Sequence, residues 1–433
     1  MIEKALTRKL CTSCGTCAGV CPNDAIKIFE ELGFFRPVVD TTKCNKCGIC
    51  LRVCPGKSVN FTQLNESFFG RTPSNSLLGN LINCYLGYSI DDNLHWGASS
   101  GGLVTSLLIF MIKKGLIDGA VVVKMDLNGG GLPRPRMFIA RNEEELLSSR
   151  GSKYALVPIN VGLKEIIKED GRFAVIGLPC HLHGIRKAEL IFNKLAKRIF
   201  LHIGLFCGHT TNFLGTQLIL ERMGVKTCVE LSYRGKGWPG GLYVKLKDGK
   251  EKTIPFKTYY AMFSLNFFTP IRCLLCCDQT AELSDISFGD AWLPELKSEK
   301  KRASLVITRK KVGEDMLQFA QRNGIIKISR SGYDKVLLSE ASGLFFKKYS
   351  LKARASFLKS LGYELPYYIS DSPKSGILAF STLISCINAL TSRYLYGLLK
   401  YTPYKLFNLC ASAQGEILRE SFFSYIKNHY SCQ

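Results

Sequence analysis

The chain of 433 residues has few acidic side chains, and its first residues show no apolar stretch. Its 35 aspartates and glutamates stand against 58 lysines and arginines, which gives a formal charge of +23. The first residues, MIEKALTRKLC, contain no apolar stretch of the kind a secretory signal needs, so we expect a reducing cytoplasm and no disulfide scaffold. No nucleic-acid recognition motif and no lysine-rich tail accompany the basic charge, which argues against a nucleic-acid partner.

Cysteine, in contrast, is abundant, with 18 residues in the chain. The pattern CxxCxxCxxxCP occurs twice near the N-terminus, as in bacterial ferredoxins that hold two [4Fe-4S] clusters, where the fourth cysteine of each motif ligates the other cluster. Zinc sites rarely use three cysteines in seven residues before Cys-Pro, and disulfides do not follow such spacing. We therefore assign one cluster to Cys11, Cys14, Cys17 and Cys54, and the other to Cys21, Cys44, Cys47 and Cys50.

Length and hydrophobic content predict two or three domains, each with its own core. Residues 1–60 are predicted to be an α+β, ferredoxin-like two-cluster module, and the polar stretch 61–80 a linker. Over residues 81–340 apolar helix and strand patterns alternate, which predicts a layered α/β domain with a largely parallel sheet. Residues 341–433 are predicted to form a helical, basic and partly amphipathic extension.

The predicted sheet brings further cysteines together. Cys180 ends the strand VIGLPC and Cys207 ends the next strand, IGLFC, so neighbouring parallel strands would place both thiols at one rim. Cys273 and Cys276 then follow in RCLLC, and four cysteines at one rim are compatible with a third cubane. The alternative is that they are small buried hydrophobic residues, the usual role of isolated cysteines. We adopt that alternative for Cys84, Cys228, Cys386, Cys410 and Cys432, and leave Cys277 open.

Six segments carry a resemblance to a known family: GASSGGLVTSLL, RGSKYA, VIGLPCHLHGIRK, IGLFCG, SYRGKGWPGG and RCLLCCDQTAELSDISFGDAW. In this order, from about Cys84 to Trp292, they resemble the coenzyme F420 hydrogenase/dehydrogenase beta-subunit family. That family includes iron-sulfur flavoproteins that reduce deazaflavin coenzyme F420 and chlorophyll-pathway reductases that draw electrons from ferredoxin. The resemblance implies an FAD and a further [4Fe-4S] cluster. It implies that the ligands of this cluster are Cys180, Cys207, Cys273 and Cys276.

Three loops offer contacts to such a flavin. The loop GASSGG precedes a helix whose free amides and positive dipole end would meet a diphosphate, although an ordinary glycine turn is the alternative. The loop RGSKY supplies a donor and a charge for phosphate or reduced flavin, and YRGKGWPGG supplies charges and an indole for a planar ligand. For the last loop the alternative is a hairpin turn with solvated charges. The predicted contacts are Ser99, Ser100, Gly101, Gly102, Thr105, Ser152, Lys153, Arg234, Lys236 and Trp238.

Other polar residues near these motifs carry weaker expectations. His181 and His183 follow Cys180 and are compatible with a proton relay, but a histidine at a helix start is usually a capping neighbour. Relatives often have a glutamine near His181, so the resemblance assigns it no acid role. Asp290 in FGDAW is expected to order its loop. No residue is therefore assigned to catalysis.

The extension beyond residue 340 has two interpretations that the residues leave open. Its apolar stretch GILAFSTLISCINAL is about 15 residues long and carries Ser, Thr and Asn, so it is too short to span a membrane. It is compatible with a helical hairpin packed on the catalytic domain or against a partner. It is equally compatible with an amphipathic tail on an anionic membrane surface, which would make a cytoplasmic protein membrane-associated.

These features predict an iron-sulfur flavoprotein oxidoreductase that links a ferredoxin-type or F420 donor to an organic acceptor. A flavin is expected because it converts between single electrons and hydrides, which clusters cannot do. The alternative is an electron-transfer beta subunit of a larger hydrogenase or dehydrogenase. Each cluster adds about two negative charges, so two clusters lower +23 to about +19 and three to about +17. The surface stays basic and favours an acidic electron carrier.

Overall fold

The computed structural model describes residues 9–127, 131–298, 302–368 and 380–430. Within these ranges the strands form three sheets of two, three and eight strands. In chain order the strands are β1 Ile26–Glu31, β2 Phe34–Val39, β3 Asn83–Ser89, β4 Gly119–Asp126, β5 Arg134–Ala140, β6 Phe173–Gly177, β7 Ile199–Leu205, β8 Glu230–Gly235, β9 Gly241–Lys245, β10 Glu251–Pro255, β11 Ile286–Asp290, β12 Ser304–Thr308 and β13 Ile326–Ser331.

The helices lie between and after these strands. The α-helices are Thr16–Gly19, Ile49–Arg52, Phe61–Phe69, Asp92–Gly97, Leu103–Lys113, Glu143–Ser148, Leu163–Lys168, Pro179–Glu189, Asn193–Arg198, Phe213–Arg222, Phe256–Ser264, Ile271–Leu274, Pro294–Ser298, Lys311–Arg322, Tyr333–Leu344, Leu351–Ser360, Phe380–Thr391, Tyr396–Tyr401 and Tyr404–Tyr430. A 3-10 helix spans Ile159–Gly162, and a π-helical turn spans Phe345–Tyr349.

The N-terminal module is a β-hairpin, β1 with β2, and two similar cysteine loops. In each loop a glycine with positive φ, Gly15 (82°) or Gly48 (74°), precedes a single helical turn that carries the third cysteine of the motif. Glycine adopts this backbone conformation at little steric cost, so the chain turns sharply after the second cysteine.

The stretch predicted to be a linker is partly helical, so that prediction was wrong for its first half. The helix Phe61–Phe69 begins where the Asn60 side chain accepts a hydrogen bond from the amide of Gln63 (3.0 Å) and ends at Gly70. Leu64 is buried against a core that includes Leu358. A capped amphipathic helix forms because this burial outweighs the polar character of the stretch.

The central domain is a layered α/β unit, but its sheet is mixed. The strand order is β13-β3-β12-β11-β7-β6-β4-β5, with parallel pairing among β4, β6, β7 and β11 and antiparallel pairing at both sides. The expected largely parallel sheet is therefore confined to the middle. The connection 127–133 between β4 and β5 is too short for the crossover of about a dozen residues that a parallel pair needs.

Both faces of this sheet are covered. Along β6, Ala174 and Ile176 face the core built on helix Leu103–Lys113, whereas Phe173 and Val175 face the opposite core. Successive side chains of a strand point to opposite faces, so a fully apolar strand fits a sheet with helices on both sides.

The helix Phe213–Arg222 and the strand β8 that follows it do not extend the large sheet, although the alternation of helix and strand patterns predicted one layered sheet. Instead, β8 pairs with β9 in a three-stranded antiparallel sheet. This small sheet packs with helices Phe213–Arg222 and Phe256–Ser264 around a separate core. Periodicity alone could not reveal which sheet β8 would join.

The C-terminal helices pack on the central domain. The long helix Tyr404–Tyr430 buries Phe407 in the core of the small sheet and Leu418 and Phe422 in the core beside helix Tyr333–Leu344. No helix in the described part of the chain is long and apolar enough to cross a membrane.

Candidate functional site

The eight N-terminal cysteines form two groups. A cavity of about 330 Å³ is lined by Cys21, Cys44, Cys47 and Cys50, and a second cavity by Cys11, Cys14, Cys17 and Cys54. The two groups match the crossed assignment that the spacing predicted. Burial, with a smaller contribution from neighbouring thiols, raises the pKa of Cys11 to about 12. Such thiols ionise only when a bound cation compensates the charge, which is what iron supplies.

Among the described residues, no three His, Cys, Asp or Glu side chains converge tightly enough to hold one metal ion. Zinc holds sulfur at about 2.3 Å, so its ligands must almost touch one another, whereas a cubane spaces its thiolates apart with its own iron atoms.

The rim cysteines also come together. Cys180 lies just after β6 at the start of helix Pro179–Glu189, and Cys207 follows β7, the parallel neighbour of β6. Cys273 and Cys276 approach from the short helix Ile271–Leu274. Burial raises the pKa of Cys180 well above its usual value, and Cys14, Cys273, Cys207 and Cys276 raise it further.

Lys347 belongs to this rim, although sequence reasoning missed it. Its side chain is buried in the π-helical turn, where the Cys276, Cys207 and Cys273 thiols act on it electrostatically. Burial alone would lower the pKa of Lys347, but the thiols of Cys276, Cys207 and Cys273 raise it above its usual value. The available signal was a lysine pair inside the apolar segment LFFKKY, beyond the point where the family resemblance ends.

The ferredoxin module is fixed to the rim by two cationic side chains, the buried Arg272 and the half-buried Lys187. Arg272 donates hydrogen bonds to the carbonyl oxygens of Pro55 (3.0 Å) and Gly56 (3.2 Å). Lys187 donates to the carbonyl oxygen of Cys54 (2.9 Å). These carbonyl groups belong to Cys54 and the two residues after it. The contacts therefore attach the end of the N-terminal cysteine motif to the two helices that carry Cys180 and Cys273.

A second connection runs through Asn160. Its amide N–H donates to the Cys14 carbonyl (3.0 Å), and its side chain donates to Thr16 and to the carbonyl of His181 (both 2.8 Å). Helix Pro179–Glu189 approaches closely here, since a side chain at Gly184 would collide with Thr16. The contact therefore joins the Cys14 loop to the helix that carries Cys180.

The two histidines after Cys180 have structural partners. The His181 ring accepts the amide N–H of Leu178 (3.1 Å) and faces the Val157 carbonyl (3.1 Å), and burial lowers its pKa to about 4. His183 contacts the Asp278 carboxylate (2.8 Å). The capping interpretation of His181 thus agrees with its contacts.

The three loops predicted to contact a flavin meet at Ser99. The Ser99 hydroxyl accepts the amide N–H of Ser152 (2.8 Å), and its carbonyl accepts Arg234 Nη2 (2.9 Å). Arg234 also pairs with Asp290 (2.7 Å), so Asp290 orders this loop as expected. The fold therefore brings together three loops that are far apart in the sequence.

Two residues of the glycine loop form hydrogen bonds to the start of strand β12 and the residue before it. The Ser100 hydroxyl donates to the Ala303 carbonyl (2.8 Å), and the Gly101 amide donates to the Ser304 hydroxyl (3.0 Å). The Gly101 amide is thus engaged by β12 and does not point freely to a phosphate, contrary to its predicted role. Gly102, with φ 77°, precedes helix Leu103–Lys113, and Thr105 lies half-buried in its first turn.

The two predicted lysines differ. Lys153 Nζ donates to the carbonyls of Ser149, Arg150 and Gly151 just after a helix end, and burial lowers its pKa to about 7. Lys236 is exposed and pairs with Glu251. The structure does not bring Lys236 into the loop cluster, so for this residue the solvated-hairpin alternative holds.

An aromatic cage completes the site. Arg234 lies over the rings of Phe256 (4.4 Å) and Trp292 (5.3 Å), and Trp238 lies 5.5 Å from Trp292. The Trp238 indole N–H is buried and has no hydrogen-bond partner among the described residues. A buried unsatisfied donor is costly, so a ligand with an acceptor edge fits this position.

Arg302 is a second residue that the sequence did not single out. It donates to the carbonyls of His95, Trp96 and Ala98, which hold the loop before Ser99. Its other terminal nitrogen is buried and unpaired within the described ranges. An unpaired guanidinium nitrogen beside a glycine loop suits an anionic group, so the residues present fit a flavin with its diphosphate.

Comparison with known proteins agrees with this arrangement. Residues 10–58 match a 4Fe-4S dicluster domain, and residues 84–164 and 170–332 match the N-terminal and C-terminal parts of the coenzyme F420 hydrogenase/dehydrogenase beta subunit. The chain belongs to this beta-subunit family and carries an N-terminal dicluster domain. The family resemblance and the ferredoxin assignment are confirmed, and the chain is related to F420-linked oxidoreductases.

Individual relatives include both subunits and enzymes. The coenzyme F420 hydrogenase subunit beta of Methanococcus voltae is 30% identical over 207 residues, which cover 46% of this chain and 68% of the relative. The coenzyme F420-dependent sulfite reductase of Methanocaldococcus jannaschii is 28% identical over 325 residues, 71% of this chain and 45% of the relative. A chain of the F420-reducing [NiFe] hydrogenase complex from Methanosarcina barkeri shares the fold, with TM-score 0.52, 21% identity, and coverage of 70% of this chain and 98% of that chain.

Proposed function

We propose that this protein is an iron-sulfur flavoprotein that passes electrons between a ferredoxin-type or F420 donor and an organic acceptor. The observation that carries the proposal is the joint between Cys14 and Cys180, where the dicluster module meets the rim cysteines. A module fixed in this way serves as a resident electron entry and needs no separate docking step.

The two N-terminal cysteine groups, the rim cysteines and the aromatic cage follow one another in space. Cys47, in the outer N-terminal group, is exposed, whereas the group with Cys14 lies against the rim. On the far side of the rim, Cys207 acts electrostatically on Tyr260, which stacks on Phe256 of the aromatic cage (4.6 Å). This order supports a path from the outer cluster through the inner cluster and a third cluster to the flavin.

In this proposal the rim ligands of the third cluster are Cys180, Cys207, Cys273 and Cys276. The flavin, when bound, converts between single electrons and a hydride. The chain's own residues then hold it: Trp238 and Arg302 offer unsatisfied donors, and the cage supplies planar packing. Lys153, just after helix Glu143–Ser148, places an amino group next to Ser152.

The second candidate is an electron-transfer subunit whose catalysis lies in a partner. It is favoured by relatives that are beta subunits of F420 hydrogenases. The resident dicluster module favours a stand-alone reductase, since it provides its own electron entry.

An exposed corner of the C-terminal helices supports peripheral contact with an anionic membrane. Tyr394, Leu398, Tyr401 and Leu409 expose 86%, 65%, 80% and 61% of their surface. Residues 372–415 contain no aspartate or glutamate but four lysines and arginines. Tyrosines and leucines flanked by cations favour the interface of an anionic bilayer.

Co-sedimentation with vesicles tests that contact. The protein should bind vesicles rich in phosphatidylglycerol and not pure phosphatidylcholine, and Leu398→Ser with Leu409→Ser should abolish binding. Tyr333→Ser, at an exposed aromatic residue elsewhere on the surface (52%), is the control. Equal binding by the double variant and the unaltered protein would exclude this corner.

The electron-transfer proposal is tested by anaerobic flavin reduction with reduced F420, reduced ferredoxin and NADH in parallel. Reduction by F420 or ferredoxin, and none by NADH, is expected. Reduction by NADH alone would contradict the proposal. If reduction occurs but no acceptor turns over without an added partner protein, the subunit candidate is correct.

A further inference from the structure

Trp96 presents an open aromatic ring just before the loop that carries Ser99. It is 70% exposed, whereas Trp238 and Trp292, the other two tryptophans of the chain, are half-buried in the aromatic cage. The Arg302 guanidinium lies 4.8 Å from the centre of the Trp96 ring. This cation–π contact fixes the ring, and most of its remaining surface is open to a planar ligand.

Arg302 also fixes the backbone at this place. Its Nη1 atom donates to the carbonyls of His95 (3.1 Å), Trp96 and Ala98 (3.1 Å), at the end of helix Asp92–Gly97. The other terminal nitrogen, Nη2, is buried and has no hydrogen-bond partner within the described ranges, and the residue is only 6% exposed. A buried guanidinium N–H without an acceptor is unfavourable, so an anionic ligand oxygen fits beside Nη2.

A second guanidinium lies on the same segment. A side chain at Gly97 would lie 2.6 Å from Arg150 Nη1, so the Arg150 side chain packs directly on the Gly97 backbone. Arg150 is exposed, and no carboxylate of the described residues pairs with it or with Arg302. Arg234, in contrast, has the Asp290 carboxylate as its partner (2.7 Å). Arg150 and Arg302 are therefore available for the two negative charges of a diphosphate.

The Trp96 ring and the aromatic cage belong to one elongated site. Arg302 donates to the carbonyl of Ala98 (3.1 Å), and Arg234 donates to the next carbonyl, that of Ser99 (2.9 Å). Trp96 lies on the Arg302 side, and the cage lies on the Arg234 side. A ligand with a planar ring at each end and negative charge between them fits this arrangement. FAD has that form, whereas FMN has one ring system and ends at its phosphate.

We propose that Trp96, Arg150 and Arg302 form the subsite for the adenine nucleotide half of FAD. The open surface of Trp96 stacks on the adenine, and the two guanidinium groups bind the diphosphate. The inference rests on the proposed flavin function and adds the half of the ligand that lies outside the cage. Stacking of a base on an aromatic side chain supplies affinity that FMN cannot gain. The protein therefore selects FAD over FMN.

The test measures flavin binding by anaerobic calorimetry in the full-length protein with its clusters, after removal of the flavin. The unaltered protein should bind FAD about tenfold more tightly than FMN, and Trp96→Ser should lose about that factor for FAD while keeping its affinity for FMN. Trp96→Phe should retain most of the affinity for FAD. Tyr367→Ser, at another exposed aromatic residue (77%), is the control and should match the unaltered protein. Unchanged FAD affinity in Trp96→Ser, or an equal loss for both flavins, would overturn the inference.

ADP provides a second measurement, because it carries the adenine and the diphosphate without the flavin ring. It should bind the flavin-depleted protein and compete with FAD, and Trp96→Ser should weaken ADP binding about tenfold. Binding of ADP to the FAD-saturated protein without displacement of FAD would mean that Trp96 serves a separate nucleotide, and the inference would be wrong. If the unaltered protein binds neither flavin, the proposed function fails together with this subsite. If it binds FAD and FMN equally, only the subsite is wrong.

Discussion

Among the neighbouring thiols, Cys14 has the largest electrostatic effect on Cys180. The first belongs to the dicluster module and the second to the large sheet, and Asn160 ties the Cys14 backbone to the residue after Cys180. This junction gives the proposed electron path a defined order. Mutations in the N-terminal cysteines and in the rim cysteines should therefore affect different steps of electron transfer.

The iron content should be about twelve atoms per chain, with one FAD, in anaerobically purified protein. Cys273→Ser should remove about four irons and spare the N-terminal pair, because it changes only a rim ligand. Chemical iron analysis checks this. A total of about eight irons in the fully reconstituted, unaltered protein would exclude the third cluster.

Replacing Trp238 with phenylalanine should weaken FAD retention. The change keeps an aromatic ring beside Trp292 but removes the buried N–H that has no hydrogen-bond partner among the described residues. FAD measured after gel filtration should fall several-fold while iron stays normal. Lys236→Ala, in the same hairpin but exposed, is the control and should retain FAD; equal retention in both variants would remove Trp238 from the site.

Gly101→Val should act on folding more than on flavin affinity. A side chain at Gly101 would press on the carbonyl oxygen of Gly87 and lie 2.8 Å from the amide of Ser304. Overpacking of this kind costs about 3 kcal/mol in the free energy of unfolding. Denaturant titration checks this expectation, and a variant with normal stability but lost FAD would instead support a direct phosphate contact.

Breaking the N-terminal clusters should separate the two entry routes. Cys14→Ser combined with Cys47→Ser should abolish reduction of FAD by ferredoxin yet spare reduction by a reduced deazaflavin, which delivers a hydride directly. Stopped-flow absorbance with each donor measures both rates. If both rates fall together at normal FAD content, the clusters are not a separate entry path.

Salt should slow reduction by an acidic carrier. The formal charge of +23 attracts such a partner through electrostatic steering. The rate should fall steeply above about 0.1 M salt, where the screening length is about 10 Å. A neutral donor assayed in the same buffers should show little change, and a flat response for the acidic carrier would rule out steering.

The sequence by itself determined the dicluster module and the family, and it predicted the four rim cysteines as ligands of a third cluster. Short-range spacing and a glycine turn bring together the first three cysteines of each motif, whereas the fourth cysteine reaches the other group because the two loops pack against each other. The apolar alternation around β6 likewise indicates a sheet covered on both faces, because a strand has a period of two residues.

Only the tertiary structure decided which distant groups meet. Lys347 and Arg302 reach their sites through strand order and helix packing, and neither lies in a local motif. The contacts of two predicted flavin residues were also decided in this way. The Gly101 amide donates to the Ser304 hydroxyl, and the exposed Lys236 pairs with Glu251. Local spacing fixes ligands within one loop, whereas contacts between loops depend on the register of strands that are far apart in sequence.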